Sequence, residues 1–343
     1  MQFTTPINIK PNKTIDHNSR ILMLGSCFAE NIGKKLIDAG FDVVMNPMGI
    51  LYNPISIHSA LERIIEGREF TEDDLFYHNG LWASFMHHGS FSHADKTETL
   101  KMMNERLHEG HEQLKNATHL IITFGSAEVY EKDGIVVSNC HKLPSRHFTH
   151  RLLSIDEITT PYTQLPTLNS YDKREQQCLL QLPSEPRILS EAKNSQLSTL
   201  NSQLSTIFTI SPVRYLGEGA HHGQINKATL LLATDKICQK TGADYFPSYE
   251  IMMDELRDYR YYAADMIHPS EIAIEYIFER FAETYLTDEA IRTTEEVQKI
   301  KKSLAHRPLH PESEEYEKFK KKLSQQIEAI AKKYPNIKFT QSY

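Results

Sequence analysis

A chain of 343 residues is long enough to bury a full core, and its formal net charge of -7, with 38 basic and 45 acidic side chains intermixed, lacks the basic field that a phosphate backbone needs. Nucleic acid is not an expected partner. No window approaches eighteen consecutive apolar residues, and the opening MQFTTPINIKPNKTIDHNSR has no basic start leading into an apolar stretch, so no membrane association is expected and the cytoplasm is the expected compartment. The four cysteines, Cys27, Cys140, Cys178 and Cys238, lie far apart with no CxxC spacing, which suits free thiols in a reducing compartment.

The first predicted strand is Arg20–Leu24, apolar until it stops at Gly25, where Ser26 and Cys27 stand before a helix over Phe28–Ala39. A second strand, Phe41–Asn46, runs into the loop NPMGILYNP and a helix over Pro54–Glu66. After a helix over Thr97–Lys115 come a strand over Thr118–Phe124 and the loop GSAEVY. A fourth strand, Thr206–Ser211, is followed by SPVRYL and a helix over Ile225–Thr241. A fifth, Asp244–Tyr249, precedes a helix over Ser270–Leu286. Short buried strands alternating with amphipathic helices predict an α/β fold, a parallel five-stranded sheet covered on both faces as a three-layer α/β/α sandwich.

Two regions depart from that alternation. Residues 165–206 turn polar and carry NSQLST twice, at Asn194 and Asn201; two copies rich in weak helix formers are too few for a coiled coil, and the segment reads as a surface insertion. Residues 288–343 are charged, with Tyr316, Phe319, Leu323, Ile327 and Ile330 at helical spacing, which predicts an amphipathic C-terminal helical extension to a domain over residues 1–287.

In open parallel sheets ligands bind beyond the carboxyl ends of the strands. Ser26 sits there. A serine at that position is placed as a nucleophile whose oxyanion the helix N-terminus can stabilise, although position alone favours a helix N-cap. A nucleophilic serine needs an oriented base. In DMIHPS, Asp265 precedes His268 by three residues and Pro269-Ser270 open the last helix, which puts the pair on the same sheet edge as Ser26. In a chain with 17 histidines that spacing alone is weak, and its context gives it weight.

The strings GSCFAENIG, NPMGILYNP, TFGSAEVY, NCHKLP, SPVRYL and DMIHPS, in that order across residues 2–287, resemble the GSCFA family, a bacterial group placed with the SGNH, or GDSL-like, hydrolases. The resemblance implies a flavodoxin-like SGNH fold with strand order 2-1-3-4-5 and a Ser26-His268-Asp265 triad. It also implies an oxyanion hole formed by the N–H groups of Ser26 and Gly49. The third block departs from the pattern: Ala127 stands where SGNH hydrolases place an asparagine donor, and losing such a donor costs about 100- to 1000-fold in rate. Ser126, Asn53 or Asn139 would have to replace it.

Asn46, Glu128, Asn139, His141, His88 and Arg214 are further pocket candidates. His88 and His141 suit a pocket wall or an ordinary structural place equally. Arg214 is placed either to bind a substrate carboxylate or phosphate or to pair with Glu128. Cys27, about 100° round the helix from Ser26, is expected to point away from the site as a small buried hydrophobe. His87, His88 and His93, and His221 with His222, lack the spacing of a known zinc site, and neither metal nor cofactor is expected. The expected activity is hydrolysis of a carboxylic ester, an acyl or acetyl group on a sugar or other small metabolite. The alternatives are an acyltransferase with the same triad and a non-catalytic ligand-binding protein on the same fold.

Overall fold

The computed structural model describes residues 5–165, 204–305, 312–337 and 339. The NSQLST repeats lie outside them except for Leu204 to Thr206. The insertion ends earlier than expected, because Ser205 already belongs to a strand.

The central sheet is formed by β1 (Arg20–Gly25), β2 (Asp42–Met45), β5 (His119–Phe124), β9 (Ser205–Ile210) and β10 (Asp244–Phe246), every pairing parallel, in spatial order β10-β9-β5-β1-β2. Side-chain alternation along these strands divides the core in two. Leu22, Leu24, Leu120, Ile122, Phe124, Phe208 and Ile210 point to one face, where they meet helices α2 (Pro54–Glu66), α3 (Lys96–Lys115), α4 (Ile155–Gln164) and α5 (Gly219–Thr241). Ile21, Met23, Ile121, Ile207 and Phe246 point to the other, against α1 (Cys27–Asp38) and α6 (Glu271–Tyr285). A sheet buried on both sides explains why these strands read as continuous apolar runs.

Pro54 at the first turn, Asn53 as an N-cap accepting from the Ser56 N–H, and a left-handed Gly67 fix both ends of α2, which is why its bounds are legible in the sequence. Two small antiparallel sheets were not foreseen. One is the hairpin β3 (Phe76–His78) and β4 (Leu81–Ala83); the other orders β6 (Glu128–Lys132), β7 (Ile135–Val137) and β8 (Thr149–Leu152) as β7-β6-β8. Their strands span only three to five residues, too short to show a period against the surrounding loops.

The C-terminal extension is a pair of helices, α7 (Asp288–Ala305) and α8 (Glu314–Lys333). Leu323 and Ile330 of α8 join Val297 and Ile300 of α7, with Tyr334 and Ile337, in a third small core. Tyr334 packs on the buried His17 ring and donates to Glu289, so this extension closes onto the main domain. No helix among the described residues is long and apolar enough to cross a membrane.

Phe208 is fully buried on β9, with Phe124 and Tyr162 rings beside it at centroid distances of 5.6 and 5.7 Å. Phe208→Ala is expected to destabilise the protein by about 3–5 kcal/mol, read as a lower urea midpoint at unchanged slope.

Candidate active site

β1 ends at Gly25 for a steric reason. Its φ is +138°, and a Cβ built there would lie 2.2 Å from the Thr123 carbonyl oxygen of β5; only glycine allows the two strand ends to come this close. Ser26 follows with φ -70° and ψ 176°, the backbone of an N-cap, yet its side chain makes no cap hydrogen bond. The hydroxyl is buried, 1% exposed, and Ser26 Oγ has no hydrogen-bond partner among the described residues. The helix-cap reading of Ser26 is therefore not what the structure adopts.

His268 and Asp265 form the pair that their spacing suggested. Asp265 Oδ2 lies 2.6 Å from His268 Nδ1, while Oδ1 accepts from the N–H groups of Ile267 and His268 at 2.9 and 3.0 Å. Those two backbone donors, the His268 N–H first, and then the imidazole hold the Asp265 carboxyl down to about 2. The carboxylate thus stays ionised across the working pH range and fixes the imidazole so that Nε2 faces away from it. Met266, at φ 58°, makes the tight turn that lets residues 265 and 268 meet. Arg214 holds this loop from outside: its N–H donates to the Ile267 carbonyl at 3.1 Å and its guanidinium to the Met266 carbonyl at 3.0 Å.

Ser26 and His268 line one cavity of about 460 Å³, together with Tyr52, Asn53, Ser126, Glu128, Tyr130, Asn139, Arg214 and Tyr215 among the described residues. Six residues named from sequence as catalytic or oxyanion-hole candidates were Ser26, Asp265, His268, Gly49, Ser126 and Asn53. Four of them stand on this wall, and Asp265 reaches it through His268.

Several expectations are corrected. The N–H of Gly49 donates to the Asn46 carbonyl at 2.8 Å, and a Cβ on Gly49 would lie 2.4 Å from His88 Cβ. That glycine is required by its φ of +79° and by packing, and its N–H does not serve the cavity. Asn46, itself at φ 44°, uses Oδ1 to accept the Gly25 N–H at 2.8 Å, so it braces the end of β1 instead of lining the pocket. His88 sits beneath the loop with Nδ1 3.0 Å from Ser90 Oγ, and His141 places Nε2 2.8 Å from the Ser84 carbonyl. Both are structural. Cys27, expected to turn away, lines the cavity beside Ser26, and burial raises its thiol above the ordinary range, which leaves it protonated and a poor nucleophile.

Arg214 does not pair with Glu128. The Glu128 carboxylate, 3% exposed, accepts instead from His222 Nε2 at 2.5 Å and lies 3.1 Å from His150 Nε2. His150 was not singled out in the sequence, and nothing local marked it; it comes from β8, across the small sheet. Among the described residues no group of three or more His, Cys, Asp or Glu is placed to hold a metal ion.

The sequence reading also missed Asn226 and Lys227 of α5. Asn226 accepts the Ala127 N–H at 3.0 Å and donates to Ser126 Oγ at 2.8 Å, holding the third-block loop from a neighbouring helix. Lys227, 3% exposed, donates from Nζ to the carbonyls of Gly125 at 2.9 Å and Ser211 at 2.8 Å. Both sit in an amphipathic segment where a polar residue reads as a solvent face.

Residues 20–182 and 185–281 match the GSCFA family. The chain belongs to the GSCFA family. Residues 297–342 match the GSCFA domain protein, C-terminal domain, a range that takes in the second half of α7 and all of α8. No curated protein matches the chain.

Two measurements follow from this geometry. Gly25→Ala should cost about 2–4 kcal/mol, because a methyl must displace the Thr123 carbonyl and hold a positive φ; thermal unfolding reads it. Burial lowers Lys227 to about 7, while an unfolded lysine titrates near ~10.4. Between those values the unfolded chain binds the extra proton, so this group makes stability rise with pH. Wild type minus Lys227→Met should show that rise from pH 7 to 10 in urea titrations, and a flat difference would refute it.

Proposed function

We propose that this GSCFA protein is a serine hydrolase that cleaves a carboxylic ester of a sugar or another small metabolite, on an SGNH-type fold with strand order 2-1-3-4-5. The observation that carries the reading is Ser26, whose hydroxyl is buried, unbonded and released from helix capping, on a residue that lines the same cavity as His268. Leaving a buried hydroxyl without a partner costs about 1–3 kcal/mol, which is reasonable at a position reserved for a reacting group.

In this reading Ser26 Oγ attacks the ester carbonyl carbon while His268 Nε2 takes its proton, and Asp265 stabilises the imidazolium through Nδ1. Collapse of the tetrahedral intermediate expels the alkoxide, which takes the proton back from His268. Water then repeats the sequence on the acyl-enzyme, so the net change is one ester bond hydrolysed. The aromatic walls Tyr52, Tyr130 and Tyr215 with the amides of Asn53 and Asn139 suit a polyhydroxy group, whose apolar face stacks and whose hydroxyls bond.

The backbone N–H groups nearest Ser26 are engaged with carbonyls. The Ser26 N–H lies 3.3 Å from the Thr123 carbonyl, and the Gly125 and Ser126 N–H groups both donate to Tyr52 O, at 2.8 and 3.0 Å. Three side chains on the wall retain donor capacity: Asn53 Nδ2, which gives one hydrogen to Ser56 Oγ; the Ser126 hydroxyl, which accepts from Glu128 N–H and Asn226; and Asn139, whose Oδ1 accepts the His141 N–H. These are the replacements for the missing asparagine at Ala127. If none serves, the second reading, a ligand-binding protein without turnover, is favoured.

The test is labelling by a fluorophosphonate probe with peptide mapping, alongside a panel of aryl and sugar acetates assayed with and without sugar acceptors. Wild type should be labelled at Ser26 and Ser26→Ala should not, with His268→Ala slowing labelling at least about 100-fold. Asn53→Ala or Ser126→Ala should lower kcat about 10- to 1000-fold with little change in KM. Absence of an adduct on folded wild type would remove the serine-enzyme reading and leave the ligand-binding one.

A further inference from the structure

Behind the wall formed by Arg214 and Tyr215 lies a second pocket of about 260 Å³, lined among the described residues by Leu216, Met252, Met253, Leu256, Tyr249, Tyr259 and Tyr262, with Lys227 on its inner side. Its lining is chiefly thioether, isobutyl and phenol ring. Residues 251–255 form a π-helical turn, an uncommon element that places consecutive methionines toward the pocket and recurs at functional sites.

The charges of this pocket do not balance. Lys227 is buried; its Nζ donates to the carbonyls of Gly125 and Ser211 and lies 5.5 Å from the centre of the Tyr249 ring, and no carboxylate lies within ion-pair distance of it among the described residues. Two of its three N–H donors are used. Cys27, the group from α1 nearest in charge terms, is held as a neutral thiol by burial. Arg214 adds a further cation to the lining, while the guanidinium of Arg257 at the rim is shared with Asp254 at 2.8 Å. The carboxylate of Asp258 is taken by Arg260, accepting from its N–H at 2.9 Å and its guanidinium at 3.0 Å. A buried ammonium without a counter-charge is costly, and ordinarily such groups are paired.

We propose that this pocket binds a small molecule with an apolar body and one negative group, of which a medium-chain carboxylate is the simplest example, its chain against Leu216, Met252, Met253 and Leu256 and its anion directed at Lys227. The site does not rest on ester cleavage by Ser26. Its occupant would lie against Arg214, whose guanidinium and N–H hold the loop that carries Asp265 and His268, so the two cavities share one structural wall.

Calorimetric titration of the full chain at pH 6 with octanoate and with 1-octanol tests this. Octanoate should bind saturably, about tenfold tighter than octanol. Lys227→Met and the rim substitution Arg257→Glu should each erase that advantage while leaving octanol affinity unchanged. Met253→Trp, which fills a half-exposed part of the pocket, should weaken both ligands. Ser26→Ala should bind octanoate as wild type does, whether or not wild type cleaves esters. Equal affinity for octanoate and octanol, no saturable heat, or octanoate binding unchanged by Arg257→Glu together with Met253→Trp would overturn the proposal, and the last pair decides it even if Lys227→Met does not fold.

Discussion

The close approach of Gly25 to the Thr123 carbonyl is the constraint on which the rest of this structure depends. It draws the ends of β1 and β5 together without a side chain between them, and so sets Ser26 at the floor of a cavity instead of on an open edge. From that point the loops on the carboxyl side of the sheet are tied to one another by backbone groups. Leu51 N–H reaches Gly25 O, the Gly125 and Ser126 N–H groups reach Tyr52 O, and Ser211 N–H reaches Phe124 O. Loops bonded in this way have few free donors, which is why the expected oxyanion hole is partly spent on architecture.

Side chains complete what the backbone begins. Lys227 joins the loops after β5 and β9, Asn226 fixes the Ala127 turn, and Arg214 fixes the Asp265–His268 loop. Each is a polar group buried or half-buried that bonds to main-chain atoms of a neighbouring loop, the use to which buried polar residues are best suited. Glu128 with His222 and His150 does the same for the small sheet beside the cavity. The candidate catalytic groups are thereby held on rigid supports from four separate parts of the chain.

The two cavities meet at Arg214 and Tyr215, and their chemistry differs. One presents hydroxyls, amides and a carboxylate around Ser26; the other presents thioethers and aromatic rings around an ammonium. A single ligand chemistry would not satisfy both. That division follows from the neighbouring elements: the β6–β8 sheet supplies the polar wall, and the π-helical turn after β10 supplies the apolar one.

Much of this was legible in the chain itself. Continuous apolar runs ending at glycine or polar residues marked the five central strands, and Pro54 with Gly67 marked α2, because burial on both faces and helix capping leave local signatures. The Asp265–His268 contact was likewise readable, since three residues and a tight turn suffice to close it. What the sequence could not carry were pairings that depend on where distant segments come to rest. Whether Ser26 capped its helix, whether the Gly49 N–H was free, which way Cys27 faced, what Arg214 and Glu128 bonded to, and that Lys227 was buried without a counter-charge were all decided by tertiary structure. The physical reason is that hydrogen bonds and burial are properties of pairs, and a residue's partner across 100 positions is fixed only when the sheet has brought both ends to one edge.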